Sequence, residues 1–195
     1  GRLVALLVVT LTLPLLGANA ADDSAAATVA VSGSHRSRYE RLTPQYRAGF
    51  GDSDTVLALQ TSVELTATRG RLSFVGEITD ARAECNDPDS FFTGVVNTLE
   101  PVQTYIAWQL DGVLQAGSES SLRAGRMTLD LGKRRLLARS TFRHAFASFS
   151  GADWQWRGAA GNRARAFYLL PMRIMPTAGD AQLANEQEFD RAARD

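Results

Sequence analysis

A two-residue period of apolar and polar side chains, recurring in seven separate stretches, constrains this chain more than any other feature. In "DTVLALQTSVELTATRG" (54–70), Leu57, Leu59, Val63 and Leu65, with Thr55 and Thr61, alternate with Gln60, Ser62, Glu64 and Thr66. Such a strand has two unlike faces. Arg69-Gly70 reverses the chain into "RLSFVGEITDAR", where Leu72, Phe74 and Ile78 share one face and Ser73, Glu77 and Thr79 the other, so the two stretches make a hairpin.

Four more stretches follow the same rule. "TVAVSGSHRSRYER" sets Ser32, Ser34, Arg36, Arg38 and Glu40 against Val29, Val31 and Tyr39, and "PVQTYIAWQL" sets Ile106, Trp108 and Leu110 against Gln103, Tyr105 and Gln109. "GADWQWRG" opposes Ala152, Trp154 and Trp156 to Asp153, Gln155 and Arg157. "NRARAFYLLPMR" opposes Ala164, Ala166, Tyr168 and Leu170 to Arg163 and Arg165. The seventh stretch, Ser121 to Leu131, mixes polar and apolar residues on both faces, so alternation leaves open whether Arg126 points in or out. No helical period of useful length occurs between residues 28 and 175, and the expected class is all-β.

Residues 1–20 are expected to be a signal peptide. Arg2 precedes the apolar run "LVALLVVTLTLPLLG", and Ala18-Asn19-Ala20 forms an A-x-A cleavage site. Pro14 interrupts the run, which falls short of the about 20 apolar residues of a membrane helix. Export implies an oxidising compartment, yet Cys85 is alone, lies among turn formers in "AECNDPDS", and reads as a free loop thiol.

Alternating strands fit either a soluble sandwich, whose apolar faces meet, or an outer-membrane barrel, whose apolar faces meet lipid. Three features favour the barrel. Connections alternate between long and polar (42–53, 83–99, 132–147) and short (69–70, 111–120, 158–162). The polar faces carry Arg, Glu, Asp and Gln in mid-strand. Tyr39, Trp108, Trp154, Trp156 and Tyr168 fall on apolar faces, as interfacial aromatic girdles require.

"HRSRYE" (35–40), "FVGEITDAR" (74–82), "VQTYIAW" (102–108), "LRAGRMTLDLGKRRL" (122–136) and "FSGADWQW" (149–156) resemble successive strands of the alginate export family of bacterial outer-membrane β-barrels. The sharpest part is Gly125-Arg126, then Gly132, then Arg135-Leu136. Ser150 before Gly151 and Lys133 after Gly132 depart from the family pattern and make the region more basic, which leaves the solute open. The resemblance implies an antiparallel up-and-down transmembrane barrel of roughly eighteen strands. Residues 21–195 would then be its N-terminal part, a partial barrel of about seven strands, because an unclosed edge is intolerable in hydrocarbon. The final segment "ANEQEFDRAARD" is polar, compatible with a helix, and resembles a loop between strands.

The residues "LRAGRMTLDLGKRRLLARS" (122–140) hold Arg123, Arg126, Lys133, Arg134, Arg135 and Arg139, and twenty of the chain's 21 basic residues are Arg. Guanidinium forks suit carboxylates and phosphates. The candidate site is a pore lined by Arg36, Arg38, Arg126, Arg134, Arg135 and Arg139, guiding an anionic polysaccharide or a small organic anion. The competing expectation is that these arginines pair with Glu40, Glu64, Glu77 and Asp130 and brace the wall. The expected surroundings are outer-membrane lipid and lipopolysaccharide, with periplasmic export proteins as further partners.

Other classes have less behind them. The net charge is zero, and the basic run 133–139 lacks aromatic platforms beside it, so no nucleic-acid partner is expected. G-x-S-x-G, H-E-x-x-H and C-x-x-C are absent, and His35 and His144 stand apart in the sequence, so neither an enzyme nor a cofactor site is expected. Asp80, Glu84, Asp87 and Asp89 lack the spacing of a calcium loop and read as a solvated turn. The alternative from another class is a secreted β-sandwich that stacks sugar rings on Trp108, Trp154 and Trp156.

Overall fold

The computed structural model describes residues 6–13, 26–42, 54–84 and 95–193. All seven expected strands are present in one antiparallel up-and-down sheet: β2 (Thr28–Leu42), β3 (Asp54–Arg69), β4 (Leu72–Glu84), β5 (Asn97–Gln109), β6 (Glu119–Met127), β7 (Phe149–Arg157) and β8 (Arg163–Arg173). Each pairs with its sequence neighbour, as hairpin connections dictate. β1 (Leu6–Leu13) lies antiparallel to β2, from Leu6 opposite Arg38 to Leu13 opposite Val31. At the far side a two-residue β9 (Arg191–Ala192) meets the end of β8. The sheet does not close on itself among the described residues.

The structure differs from expectation at three places. β5 begins four residues early, β6 ends at Met127 rather than Leu131, and the short helix α1 occupies Gly179–Leu183 while 184–190 form a turn and extended chain. The acidic loop around Cys85, Asp87 and Asp89 and the connection 43–53 lie outside the described residues.

The two faces of the sheet have opposite chemistry, and register aligns each kind into rows. One row across seven strands is wholly apolar: Val29, Ala67, Phe74, Ile106, Ala124, Ala152 and Tyr168. The next row toward the short turns is Leu72, Trp108, Leu122, Trp154 and Ala166. Trp108 is 48% exposed and Tyr168 73% exposed, because no second sheet among the described residues packs over this bare face. Moving along β4, the bare face turns polar at Asp80 and Arg82, which form an ion pair at 2.9 Å. The apolar part of this face on β4, Leu72 to Ile78, spans seven residues.

The opposite face carries Gln60, Ser62, Glu77, Thr79, Gln103 and Asp153, all buried. Two long connections, 128–148 and 174–190, fold back over it. Small apolar clusters seat them: Met127, Leu129 and Phe149 with Leu137 and Leu169 under the first, and Ala83 and Val96 with Leu183 under the second.

Two irregularities decide which side chains reach the covered face. β5 has an extra residue opposite Glu77/Ile78 and a second slip opposite Thr79/Ala81, so Glu100 and Gln103 both point to the covered side although they are three positions apart along the strand. In β6, Gly125 has φ +130°, and a Cβ there would collide with Thr104 O and lie 2.8 Å from Tyr105 Cα. Its cross-strand partner Gly151 would drive a Cβ into Tyr168 O. Only glycine allows three backbones to approach this closely. Gly151→Ala is expected to destabilise the sheet by about 2–3 kcal/mol, measurable as a lowered urea midpoint, whereas the nearby Ala152→Gly on the bare face should cost no more than about 1 kcal/mol.

Candidate functional site

Charged side chains on the covered face cannot stay solvated once two connections lie over them, so each must find an opposite charge or a dipole. Three ion clusters result. In the first, Glu64 and Glu77 sit directly opposite on β3 and β4, a repulsive arrangement by itself. Gln103 Nε2 bridges them at 3.2 and 2.7 Å, and Arg139 from connection 128–148 donates to both oxygens of Glu77, at 2.7 Å through Nη1. Ser62 Oγ also donates to Glu77, at 2.6 Å. Arg139 stacks 4.1 Å from the Phe146 ring centroid, a favourable cation–π contact.

In the second cluster Arg126 lies between two fully buried carboxylates. It donates to Glu100 Oε1, to Asp190 Oδ2 at 2.7 Å, and to Ser148 Oγ at 2.9 Å. Burial raises the Asp190 carboxyl pKa, while N–H donors from Met175 at 3.0 Å and Asn97 at 3.2 Å, with Arg126, favour its anion. In the third, Asp153 is wholly buried between Arg123 Nη2 at 2.5 Å and Arg165 Nε at 2.6 Å.

The remaining basic group is less well neutralised. Arg36 donates to the carbonyls of Thr141 at 2.9 Å and Arg143 at 2.7 Å, with no carboxylate partner among the described residues. Arg38 lies 3.1 Å from Glu40. Beneath them His144 is fully buried: Nε2 donates to Ala58 O at 3.2 Å, Nδ1 lies 3.4 Å from Arg36, and Gln60 donates to its carbonyl. Burial, reinforced by Arg36 and Arg38, lowers the His144 pKa to about 4. The docked ring is therefore neutral.

The six arginines expected to line a pore thus separate. Arg126 and Arg139 are held by acids, Arg38 by Glu40, and Arg36 by carbonyls. Arg134 and Arg135 sit on the exposed tip of connection 128–148. There Arg134 pairs at 3.0 Å with Asp130, while Arg135 has no ion-pair partner among the described residues. The Arg139 backbone amide holds the Asp130 carboxyl below its usual range. Of the four acids weighed as bracing partners, Glu40, Glu77 and Asp130 each meet an arginine, whereas Glu64 is held by the Gln103 amide instead. Glu100, Asp190 and the Arg123–Asp153–Arg165 triad were not anticipated as a site, although alternation already sets Asp153 and Arg165 on polar faces. Nothing in the sequence marks Glu100, because a bulge carries it across.

No family model matches the chain, and no curated protein or solved structure matches it. Among the described residues no helix is long and apolar enough to cross a membrane, a fact that does not bear on β-barrels, and no three His, Cys, Asp or Glu side chains converge on a metal-sized site.

Arg139→Ala leaves Glu77 facing Glu64 without a cation. Docking of connection 128–148 is expected to weaken by about 2–3 kcal/mol, so trypsin cleavage at Arg134 and Arg135 rises at least about tenfold. The His144 shift sets a second expectation. A released ring takes up a proton below about pH 6.5 and the docked ring only near pH 4. The His144 contribution is thus complete above pH 6.5 and falls by about 1.4 kcal/mol per unit as pH drops through that window. A spin label at Ser140→Cys, in a Cys85→Ser background, should become mobile over this range, and His144→Gln should flatten the profile.

Proposed function

We propose that this chain forms part of the wall of a β-barrel channel in a bacterial outer membrane, similar to the alginate export family, which passes an anionic saccharide or small organic anion. The observation that carries the proposal is the inverted polarity of the sheet: continuous rows of exposed apolar side chains on one face, buried ion clusters on the other. Lipid satisfies the first face and a confined, polar lumen the second. Connections 128–148 and 174–190 then lie inside the lumen and narrow it. Glu77 and Glu100 fasten Arg139 and Arg126, and the carbonyls of Thr141 and Arg143 hold Arg36, leaving Arg134 and Arg135 on the exposed tip to meet the solute. Cleavage after Ala20 belongs to this proposal. It removes β1 and opens the β2 edge to a closing strand, as barrel closure requires.

The sandwich alternative needs a second sheet over Trp108 and Tyr168, and no described residue supplies one. The full-length protein is expected to remain with the membrane after carbonate washing and to show heat-dependent mobility in detergent gels. In planar bilayers Arg134→Glu with Arg135→Glu should shift the reversal potential toward cation selectivity. Release by carbonate overturns the barrel, and unchanged selectivity overturns the anion path.

A further inference from the structure

At the short-turn end of β5–β8 the covered face holds a pocket of about 580 Å³ that the three ion clusters leave open. Such a volume suits a small organic ligand. Its floor is two cross-strand rows. One is Gln109, Ser121, Gln155 and Arg165, and the other is Glu119, Arg157 and Arg163. Arg157 and Arg163 are directly opposite each other in the β7–β8 register, and both are exposed. Two cations in that position repel. Neither makes an ion pair with a described residue, although Glu119 is the cross-strand neighbour of Arg157.

The wider neighbourhood does not cancel this charge. Among the described residues in these rows of the covered face, Arg123, Arg157, Arg163 and Arg165 meet two acids, Glu119 and Asp153, a local excess of two cations. Asp153 is already engaged by Arg123, Arg165 and the Gln155 amide. Elsewhere on the covered face, cross-strand neighbours of like charge are bridged: Glu64 and Glu77 by Gln103 and Arg139. The Arg157–Arg163 pair lacks its bridge, and the pocket beside it has room for one.

We propose that this pocket is an oxyanion-binding site, in which Arg157 and Arg163 together grip one carboxylate or phosphate group and Gln109 donates to neighbouring oxygens of the same solute. Two guanidinium forks on adjacent strands match a group with several equivalent oxygens, and charge-assisted bonds of this kind are the strong ones. Arg157 and Arg163 flank the 158–162 turn, and Leu131 of connection 128–148 forms part of the same pocket's wall, while Arg134 is engaged by Asp130.

The test is direct binding, by calorimetry, of citrate and separately of inorganic phosphate to the full-length protein in detergent, with sucrose as the neutral control. Saturable binding is expected that weakens as salt rises and falls at least about tenfold in Arg157→Gln with Arg163→Gln. Citrate alone binding identifies a carboxylate site, and phosphate alone a phosphate site. Absence of saturable binding at millimolar anion, or equal affinity in the Arg157/Arg163 variant, overturns the assignment. Because the measurement needs no bilayer and no conductance, its failure leaves the channel reading standing, and the carbonate result does not affect it.

Discussion

A charge withdrawn from bulk water needs a partner, and this requirement organises one whole face of the sheet. Glu77, Glu100 and Asp153 are almost completely shielded, and each is met by at least one guanidinium. The desolvation of a lone carboxylate there would cost several kcal/mol, so the partners are obligatory. Two of those partners bridge distant parts of the chain. Arg139 returns from connection 128–148 to β4, and Arg126 on β6 reaches Asp190 from connection 174–190 as well as Glu100 on β5. The connections are therefore part of the wall's electrostatics, and their path over the covered face follows from where the acids stand.

Hydrogen bonds that mimic strand pairing reinforce this. Where the bulged β5 separates from β4, Asn185 takes over both backbone groups of Ala83: its Oδ1 accepts the Ala83 N–H at 2.8 Å and its Nδ2 donates to the Ala83 carbonyl at 2.8 Å. Backbone groups freed by an irregularity must be satisfied somewhere, and a side chain from connection 174–190 does it. Segment 174–190 is thus tied to the sheet at Ala83, through Asn185, and at Glu100 and Arg126, through Asp190.

Strand existence was readable from alternation because a half-covered strand imposes a period of two on its sequence. Sidedness was readable for β3, β4 and β7, where that period runs unbroken. It failed at β6, where polar and apolar residues mix on both faces and Arg126 reaches the buried carboxylates of Glu100 and Asp190. It also missed Glu100, whose side is set by an extra residue that no local pattern announces. The ion clusters were half visible. Arg–acid pairing was foreseeable as a competitor to a basic lumen, but which acid meets which arginine depends on connections whose course leaves no periodic trace. His144 looked isolated because its neighbours Ala58, Gln60 and Arg36 lie far away along the chain.

The bulge in β5 has a bearing on how such walls can be recombined. Hairpins are natural units of exchange between up-and-down sheets, since each carries its own turn and register. The β4–β5 unit is an exception, for its misaligned residue sends an acid to a place where only Arg126 and a remote backbone amide receive it. Grafted alone into another sheet, it would import an orphan anion. The transferable unit here is the hairpin together with its distant counter-ion.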